Sequence, residues 1–155
     1  MRVCVVGCGA VGSLFAAALA QVDGVEVWAY DLNESHVNAI NERGLRLTGA
    51  GEVHATGIRA TTSGNAVPVC SFGIVATKAM HTEAAIAATA HAFADGAVAS
   101  VQNGVGNEET IAPHVARVIR GTTPGARIFP AGRRAVGRQG RYDLRPVRAE
   151  PRRHR

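Results

Sequence analysis

The sequence predicts an α/β protein with a doubly wound parallel sheet, because short apolar runs alternate with helix-forming segments along most of the chain. The runs typical of buried strands are Arg2–Val6, Val25–Tyr30, Cys70–Thr77 and Ala97–Val101. The segments typical of helices are Ala10–Ala20, a stretch between Asp31 and Gly44, Thr82–Phe93, and a stretch that begins at Asn107. A chain of 155 residues is long enough for one such domain.

Local signals predict where these elements begin and end. Gly7 ends the first strand, and the Ala- and Leu-rich stretch behind it favours a helix. Asp31 and Glu34 have the spacing of a capping box, so Asp31 is expected to cap the second helix. The loose alternation of Leu45–Thr62 predicts short strands or a hairpin. Asn107 is expected to cap a helix whose first turn carries two acidic residues.

A glycine-rich loop with the pattern GxGxxG lies between the first strand and the first helix. In this position Gly7 allows a tight turn, Gly9 lets the backbone approach a pyrophosphate, and Gly12 lets helix and strand pack closely. The free N–H groups at the helix start then point at the phosphates. A turn that only packs well is the alternative, but the flanking elements favour a dinucleotide-binding Rossmann domain. The predicted cofactor contacts in this loop are Gly7, Cys8, Gly9, Ala10, Val11 and Gly12.

Asp31 follows the second strand, 19 residues after Gly12. A carboxylate at this position accepts hydrogen bonds from the hydroxyls of the adenosine ribose and repels a 2′-phosphate. Two unit charges 4 Å apart near a protein surface interact by about 4 kcal/mol, which is enough to select a cofactor. The residue alone therefore favours NAD over NADP. Capping of the next helix is the alternative, or an additional, role for this carboxylate.

Two polar residues follow strands further along the chain. Lys78, the only lysine in the sequence, comes directly after Cys70–Thr77, and Asn103 follows the next strand beside glycines. Because ligands bind at the carboxyl ends of parallel strands, both are expected to contact the cofactor. A solvated charge and a left-handed turn residue are the alternatives. His81 is expected to be exposed, and the sequence shows neither a metal-binding pattern nor a nucleophile–base pattern.

Two further motifs, Val75–Ala79 (VATKA) and Ser100–Glu109 (SVQNGVGNEE), join the glycine loop in a family resemblance. The chain resembles the ketopantoate reductase (2-dehydropantoate 2-reductase) family over residues 1–123, and QNGxGNE is the specific feature. The resemblance implies a nucleotide-binding half, then an all-helical half, and reduction of a 2-keto acid by NADPH to give pantoate for coenzyme A synthesis. It also implies that the glycine loop binds the pyrophosphate. Lys78 and Asn103 would line the nicotinamide side, and Asn103 would also touch the substrate.

Two departures from the family pattern change the expected activity. Asp31 stands where NADPH-using members carry a basic or neutral residue, so NADH becomes a second candidate cofactor. The all-helical domain that supplies the catalytic lysine is missing, so no catalytic residue is assigned and we expect dinucleotide binding with very weak or absent turnover. The alternatives are an NADH-dependent reductase of another 2-keto acid and a non-catalytic nucleotide-binding module.

The net charge of +5 is distributed unevenly. Residues 1–132, the predicted dinucleotide-binding domain, carry seven Arg and one Lys against ten acidic residues, whereas residues 133–155 carry nine Arg against two acids. A basic arm for nucleic acid and a disordered, solvated end are two interpretations of this tail. We favour a frameshift, because residues 134–150 can be back-translated and read one base later as VQWDVKGDTTFGPFEP, a sequence typical of strands and turns. Nucleic acid is then not an expected partner.

The composition also bears on the compartment. Cys4, Cys8 and Cys70 are an odd number without metal-type spacing, and Cys4 and Cys70 are expected in strands, which favours a reducing cytoplasm. No apolar run reaches the roughly 20 residues of a membrane-spanning helix. Met1–Gln21 shares features with a secretory signal, but its glycine spacing and its continuation into a folded pattern favour a domain.

Overall fold

The computed structural model describes residues 1–47 and 52–121 in full, and the backbone of residues 145 and 146. Its strands are β1 (Arg2–Val6), β2 (Glu26–Tyr30), β3 (Leu45–Leu47), β4 (Val53–Ala55), β5 (Arg59–Thr61), β6 (Phe72–Val75), β7 (Ala97–Ser100), β8 (Val118–Arg120) and β9 (Arg145–Pro146). Its α-helices are α1 (Ala10–Leu19), α2 (Glu34–Arg43), α3 (Thr82–Thr89) and α4 (Asn107–Ile111). Short 3-10 turns occupy Gly64–Ala66, Ala79–His81 and Ala90–Phe93.

The main sheet has the strand order β5–β2–β1–β6–β7–β8–β9. The first six strands of that order pair in parallel, and β9 adds an antiparallel edge through the backbone of Arg145 and Pro146. β3 and β4 form a separate antiparallel hairpin. The parallel strands follow the Rossmann order, in which the chain starts at the centre, winds to one edge and returns to wind to the other. The predicted fold class is confirmed.

The strands are buried on both faces, as a doubly wound sheet requires. Alternate side chains of β1 enter different cores: Cys4 and Val6 pack in one cluster with Phe93, and Val5 packs in the other with Ile40. All five side chains are almost fully buried, because helices cover each face of the sheet. Burial of a Phe or Ile side chain contributes about 1.5–3 kcal/mol to the free energy of unfolding. These two clusters therefore stabilise the sheet whose carboxyl edge carries the site.

Several local predictions need correction. Asn33, and not Asp31, caps α2, because its side-chain oxygen accepts the His36 N–H at 3.1 Å. Gly106 precedes α4 in a left-handed conformation, so Asn107 is the first helical residue and its side chain bonds elsewhere. Cys70 is buried in the turn before β6 and not within a strand.

Other differences concern the extent of elements. The predicted helix from residue 82 to residue 93 divides into α3 and a 3-10 turn, and β8 had no sequence prediction. The predicted hairpin between residues 45 and 62 is present as β3 and β4. The basic tail, residues 133–155, lies outside the described residues apart from the backbone of residues 145 and 146. In the part of the chain that is described, no helix has the length and apolarity needed to cross a membrane.

Candidate functional site

A cleft of about 730 Å³ opens at the carboxyl edge of the sheet. Its walls come from the loops that follow β1, β2 and β6, which are the three central strands of the winding. This is the point at which the strand order reverses, where ligands of open α/β sheets bind. The predicted residues that it brings together are Gly7, Gly9, Asp31 and Lys78, and His81 also lines it.

The three motif glycines meet different surroundings. Gly7 has φ +88°, a backbone conformation that residues with a side chain rarely adopt, and it lies against Thr77. A Cβ at Gly12 would overlap the Gly7 carbonyl, so this position must be glycine for α1 to pack on the loop. At Gly9, by contrast, a Cβ would meet no atom of the described residues within 4 Å. The protein therefore has no packing need for a glycine at Gly9, and the open space beside it is where a ligand's phosphates would fit.

The start of α1 faces this space. The first hydrogen bond within the helix runs from the Ser13 N–H to the Gly9 carbonyl at 2.8 Å. The N–H groups of Ala10, Val11 and Gly12 precede that bond, so they have no partner inside the helix. The N-cap residue of α1 is Gly9, which has no side chain to cap the helix. Such N–H groups and the positive end of the helix dipole favour an anion.

The peptide groups of Cys8 are held by three side chains. Its N–H donates to Asp31 Oδ2 at 2.7 Å, and its carbonyl accepts from Ser13 Oγ and from His36 Nε2, each at 2.8 Å. A carbonyl only accepts, so His36 carries its proton on Nε2 when it makes this bond. Sequence reasoning missed Ser13 and His36. Only the three-dimensional packing of α2 against the loop brings His36 to Cys8.

Asp31 has two structural bonds and remains at the cleft. Besides Cys8, it accepts the Asn33 N–H through Oδ1 at 2.9 Å. A carboxylate offers about four lone-pair positions, so each oxygen keeps capacity for a ligand hydroxyl. Burial and the nearby Asp31 charge raise the pKa of the Cys8 thiol to about 12, so this thiol stays protonated at neutral pH. Cys8 is thus a buried packing residue that contributes its backbone to the loop.

Lys78 and Asn103 lie on the loops that follow β6 and β7. Both are exposed, at the ends of β6 and β7. Lys78 lines the cleft, whereas Asn103 lies on the neighbouring loop outside the cleft wall. Within residues 1–47 and 52–121 neither side chain has a hydrogen-bond or ion-pair partner. Their roles in binding stay predictions, with Asn103 dependent on a ligand that reaches beyond this cleft.

A cluster of polar side chains, which was not predicted, lies between the loops that follow β6 and β7. The side-chain nitrogen of Gln102 lies 2.8 Å from the Thr77 carbonyl, 3.1 Å from Thr77 Oγ1 and 2.6 Å from Thr82 Oγ1. Ser100 Oγ lies 3.3 Å from the Gln102 side-chain oxygen. The cluster therefore ties the loop that carries Asn103 to the loop that carries Lys78. Thr77, Ser100 and Gln102 lie in the two motifs of the family resemblance, but no sequence pattern indicated that these side chains contact one another.

The Asn103 loop has a second attachment. Glu108 is nearly fully buried at the start of α4, and its carboxylate pairs with Arg120 at 3.5 Å. The same guanidinium donates to the Gly104 carbonyl at 3.4 Å. The side-chain amide of Asn107 donates to the Asn103 carbonyl at 3.2 Å. Backbone positions in this loop are held while the Asn103 side chain stays exposed.

The described residues contain no preformed metal-binding site. No group of three or more His, Cys, Asp and Glu side chains is arranged there to hold an ion. The three cysteines are free and buried. Burial raises the pKa of Cys4 and, to about 11, that of Cys70. None of the three thiols is activated as a nucleophile, since nucleophilic thiols have a lowered pKa.

Comparisons with known proteins find similar sequences and folds over most of the chain. A 2-dehydropantoate 2-reductase of Pyrococcus abyssi is 36% identical over 135 residues, which are 85% of this chain and 43% of that protein. A solved D-mandelate dehydrogenase with NADH and anilino(oxo)acetate is similar with a TM-score of 0.70 and 28% identity, covering 79% of this chain and 40% of that one. A solved PanE/ApbA family ketopantoate reductase from Ralstonia eutropha is similar with a TM-score of 0.66 and 28% identity, covering 81% of this chain and 44% of that one.

The chain thus spans less than half the length of these relatives. The family match itself extends over residues 3–141, which includes the whole of the described sheet except β9 and the first residue of β1. The sequence motifs that led to the resemblance all lie inside this range. The chain belongs to the family of ketopantoate reductases, PanE/ApbA.

Proposed function

We propose that residues 1–132 form the dinucleotide-binding domain of a keto-acid reductase and hold a nicotinamide dinucleotide across the carboxyl edge of the sheet. The observation that carries this proposal is the contrast between Gly12, which packing requires, and Gly9, which it does not. A glycine without a packing reason beside unpaired helix N–H groups is explained by a ligand whose phosphates approach the backbone. When bound, the reduced nicotinamide supplies a hydride.

The individual contacts follow from the geometry of the cleft. The loop residues Gly7, Cys8, Gly9, Ala10, Val11 and Gly12 would hold the pyrophosphate through backbone groups, and Asp31 would accept the hydroxyls of the adenosine ribose. Lys78 and Asn103 would lie on the nicotinamide side, with Asn103 also toward the substrate. His36 and Ser13 would keep the loop in its binding conformation by holding the Cys8 carbonyl.

The cofactor that we favour is NADH. Asp31 places a negative charge where a 2′-phosphate would lie, and the charge is fixed there by the Cys8 and Asn33 N–H groups. The solved D-mandelate dehydrogenase, a similar protein, holds NADH. NADPH, implied by the family resemblance, is the alternative.

A fluorescence titration with both reduced cofactors tests this proposal. The wild-type chain is expected to bind NADH more tightly than NADPH, and binding of neither would defeat the proposed function. Asp31→Asn removes the charge and keeps the shape, so the preference for NADH should fall about 10-fold, within the roughly 4 kcal/mol available to two such charges. Asp23→Asn, an exposed acid outside the cleft wall, is the matched control. An unchanged preference in the Asp31 variant would contradict the assignment.

For the reaction we propose reduction of a small 2-keto acid, with 2-dehydropantoate as the first substrate to test. The curated relatives carry that name, while the similarity to D-mandelate dehydrogenase supports another 2-keto acid as the second candidate. The general acid expected from the family's helical domain is assigned to no residue of this chain. From these 155 residues alone we therefore expect very weak or absent turnover, to be measured as NADH oxidation with each keto acid, against a full-length relative as the positive control.

The tail and the compartment complete the proposal. We propose that residues 133–155 record a shifted reading frame, which resequencing of the gene would decide: an uninterrupted frame with no helical domain readable downstream would contradict it. We also place the protein in the cytoplasm, where a reducing environment keeps its three free thiols reduced.

A further inference from the structure

We propose that the side-chain hydroxyl of Thr77 donates a hydrogen bond to an oxygen of the bound dinucleotide. The inference rests on the proposed dinucleotide site and assigns a binding role to Thr77, which lies within the VATKA motif but receives no role from the glycine motif or the family resemblance. It follows from the direction of each hydrogen bond in the cluster of Thr77, Thr82, Ser100 and Gln102.

The orientation of the Gln102 amide comes first. The Thr77 carbonyl can only accept, so the Gln102 atom that lies 2.8 Å from it must be the nitrogen. That nitrogen therefore also faces Thr82 Oγ1 at 2.6 Å and Thr77 Oγ1 at 3.1 Å as a donor. The Gln102 oxygen faces the opposite way and accepts from the buried Ser100 hydroxyl at 3.3 Å.

The Thr82 hydroxyl comes next. Thr82 is fully buried, so its own hydrogen requires an acceptor within the protein. Gln102 presents only donors to it. In the described part of the chain, the acceptor within reach is Thr77 Oγ1 at 3.3 Å. The opposite direction would leave the Thr82 hydrogen buried without a partner, which costs about 1–3 kcal/mol. Thr82 therefore donates to Thr77.

Thr77 is left with an unused hydrogen. Its oxygen accepts from Thr82, and the Gln102 nitrogen within its reach is itself a donor, so the described cluster offers the Thr77 hydrogen no acceptor. The residue is only partly buried, it lines the cleft, and its methyl group packs against Gly7 at the turn of the glycine loop. The acceptors that a dinucleotide carries through this part of the cleft are oxygens of the pyrophosphate and of the second ribose. Either offers the Thr77 hydroxyl a partner.

The test compares variants of Thr77 by titration of the 155-residue chain with NADH. Thr77→Val should raise the Kd about 3- to 10-fold, which is the loss of one hydrogen bond, whereas Thr77→Ser should stay within about 2-fold of the wild type. Thr77→Ala provides a second variant without the hydroxyl in case valine disturbs the packing against Gly7. Thr82→Val is the matched control, because it breaks the same cluster but keeps the Thr77 hydroxyl; it should lower the melting temperature and leave the Kd nearly unchanged.

Titrations with ADP and ADP-ribose locate the oxygen. Weaker binding of both ligands by Thr77→Val would support a pyrophosphate oxygen, and weaker binding of ADP-ribose alone would support the second ribose. The proposal is overturned if Thr77→Val binds NADH like the wild type, if Thr77→Ser is as weak as Thr77→Val, or if Thr82→Val has the same loss. Failure of the wild type to bind any of these ligands would instead refute the proposed function.

Discussion

The two sides of the cleft are built differently. On the glycine-loop side the chain holds its own backbone: Asp31, Ser13 and His36 bond the peptide groups of Cys8, and Gly12 fits only because it has no side chain. On the loops after β6 and β7, Lys78 and Asn103 are exposed side chains. The restraint there lies one layer deeper, where Gln102 joins the two loops.

The difference separates two ways of preparing a site for a ligand. A backbone site must be rigid in advance, because N–H groups bind only when the loop already has the correct shape. A long side chain such as Lys78 can instead be ordered by the ligand, at a cost in rotamer entropy of up to about 2 kcal/mol. Substitutions of the groups that hold the loop backbone in shape, such as Gly12 and His36, should therefore change both folding and binding. Substitutions of an exposed side chain such as Lys78 should change binding alone.

The glycine loop gives the largest expected effects. Gly12→Ala should abolish measurable NADH binding and destabilise the fold by about 1–3 kcal/mol, since the added methyl overlaps the Gly7 carbonyl. Gly9→Ala should weaken NADH binding at least 10-fold with the free energy of unfolding unchanged within about 0.5 kcal/mol, because its Cβ meets no protein atom. NADH titration and urea unfolding measure both quantities. Equal destabilisation by the two substitutions would remove the argument that Gly9 serves a ligand.

Lys78 tests the side of the cleft that the loop after β6 forms. Lys78→Ala should raise the Kd for NADH about 5- to 10-fold and leave both the ADP affinity and the unfolding free energy unchanged, because the side chain is exposed and ADP does not reach the nicotinamide side. Arg43→Ala, an exposed cation outside this cleft, is the matched control. If ADP binding weakened as much as NADH binding, Lys78 would belong to the phosphate side and the division of the cleft would be wrong.

Part of the fold and of the site could be predicted from local properties of the sequence, whereas features that depend on contacts between distant residues could not. The strands β1, β2, β6 and β7 and the role of Gly12 could be predicted because apolar runs and steric limits are local properties of the sequence. β8 could not, since its three residues lack a pattern and depend on pairing with β7.

The capping prediction for Asp31 was wrong for a related reason. The sequence showed a carboxylate at the correct spacing, but the Cys8 N–H, 23 residues earlier, competes for it and Asn33 takes over the cap. Likewise His36 and Gln102 bind atoms 28 and 25 residues away, and no local motif encodes such pairs. The family resemblance marked the loop of Gln102 but not the contacts that the side chain makes.

His36 allows the smallest but most specific test of the backbone side. His36→Ala removes the donor to the Cys8 carbonyl, so the Kd for NADH should rise about 2- to 5-fold and the unfolding free energy should fall by about 1 kcal/mol, the value of one hydrogen bond. His36→Gln retains an N–H donor, so it should recover most of the NADH affinity and most of the unfolding free energy.

His54 provides the control for this prediction. It makes the same type of bond, from Nε2 to the Arg43 carbonyl at 2.7 Å, in the hairpin region outside the cleft. His54→Ala should therefore cost a similar amount of stability without any change in the Kd. If both alanine variants changed the Kd alike, loop preorganisation would not distinguish His36 from a general stabilising residue, and the contrast between the two sides of the cleft would not hold.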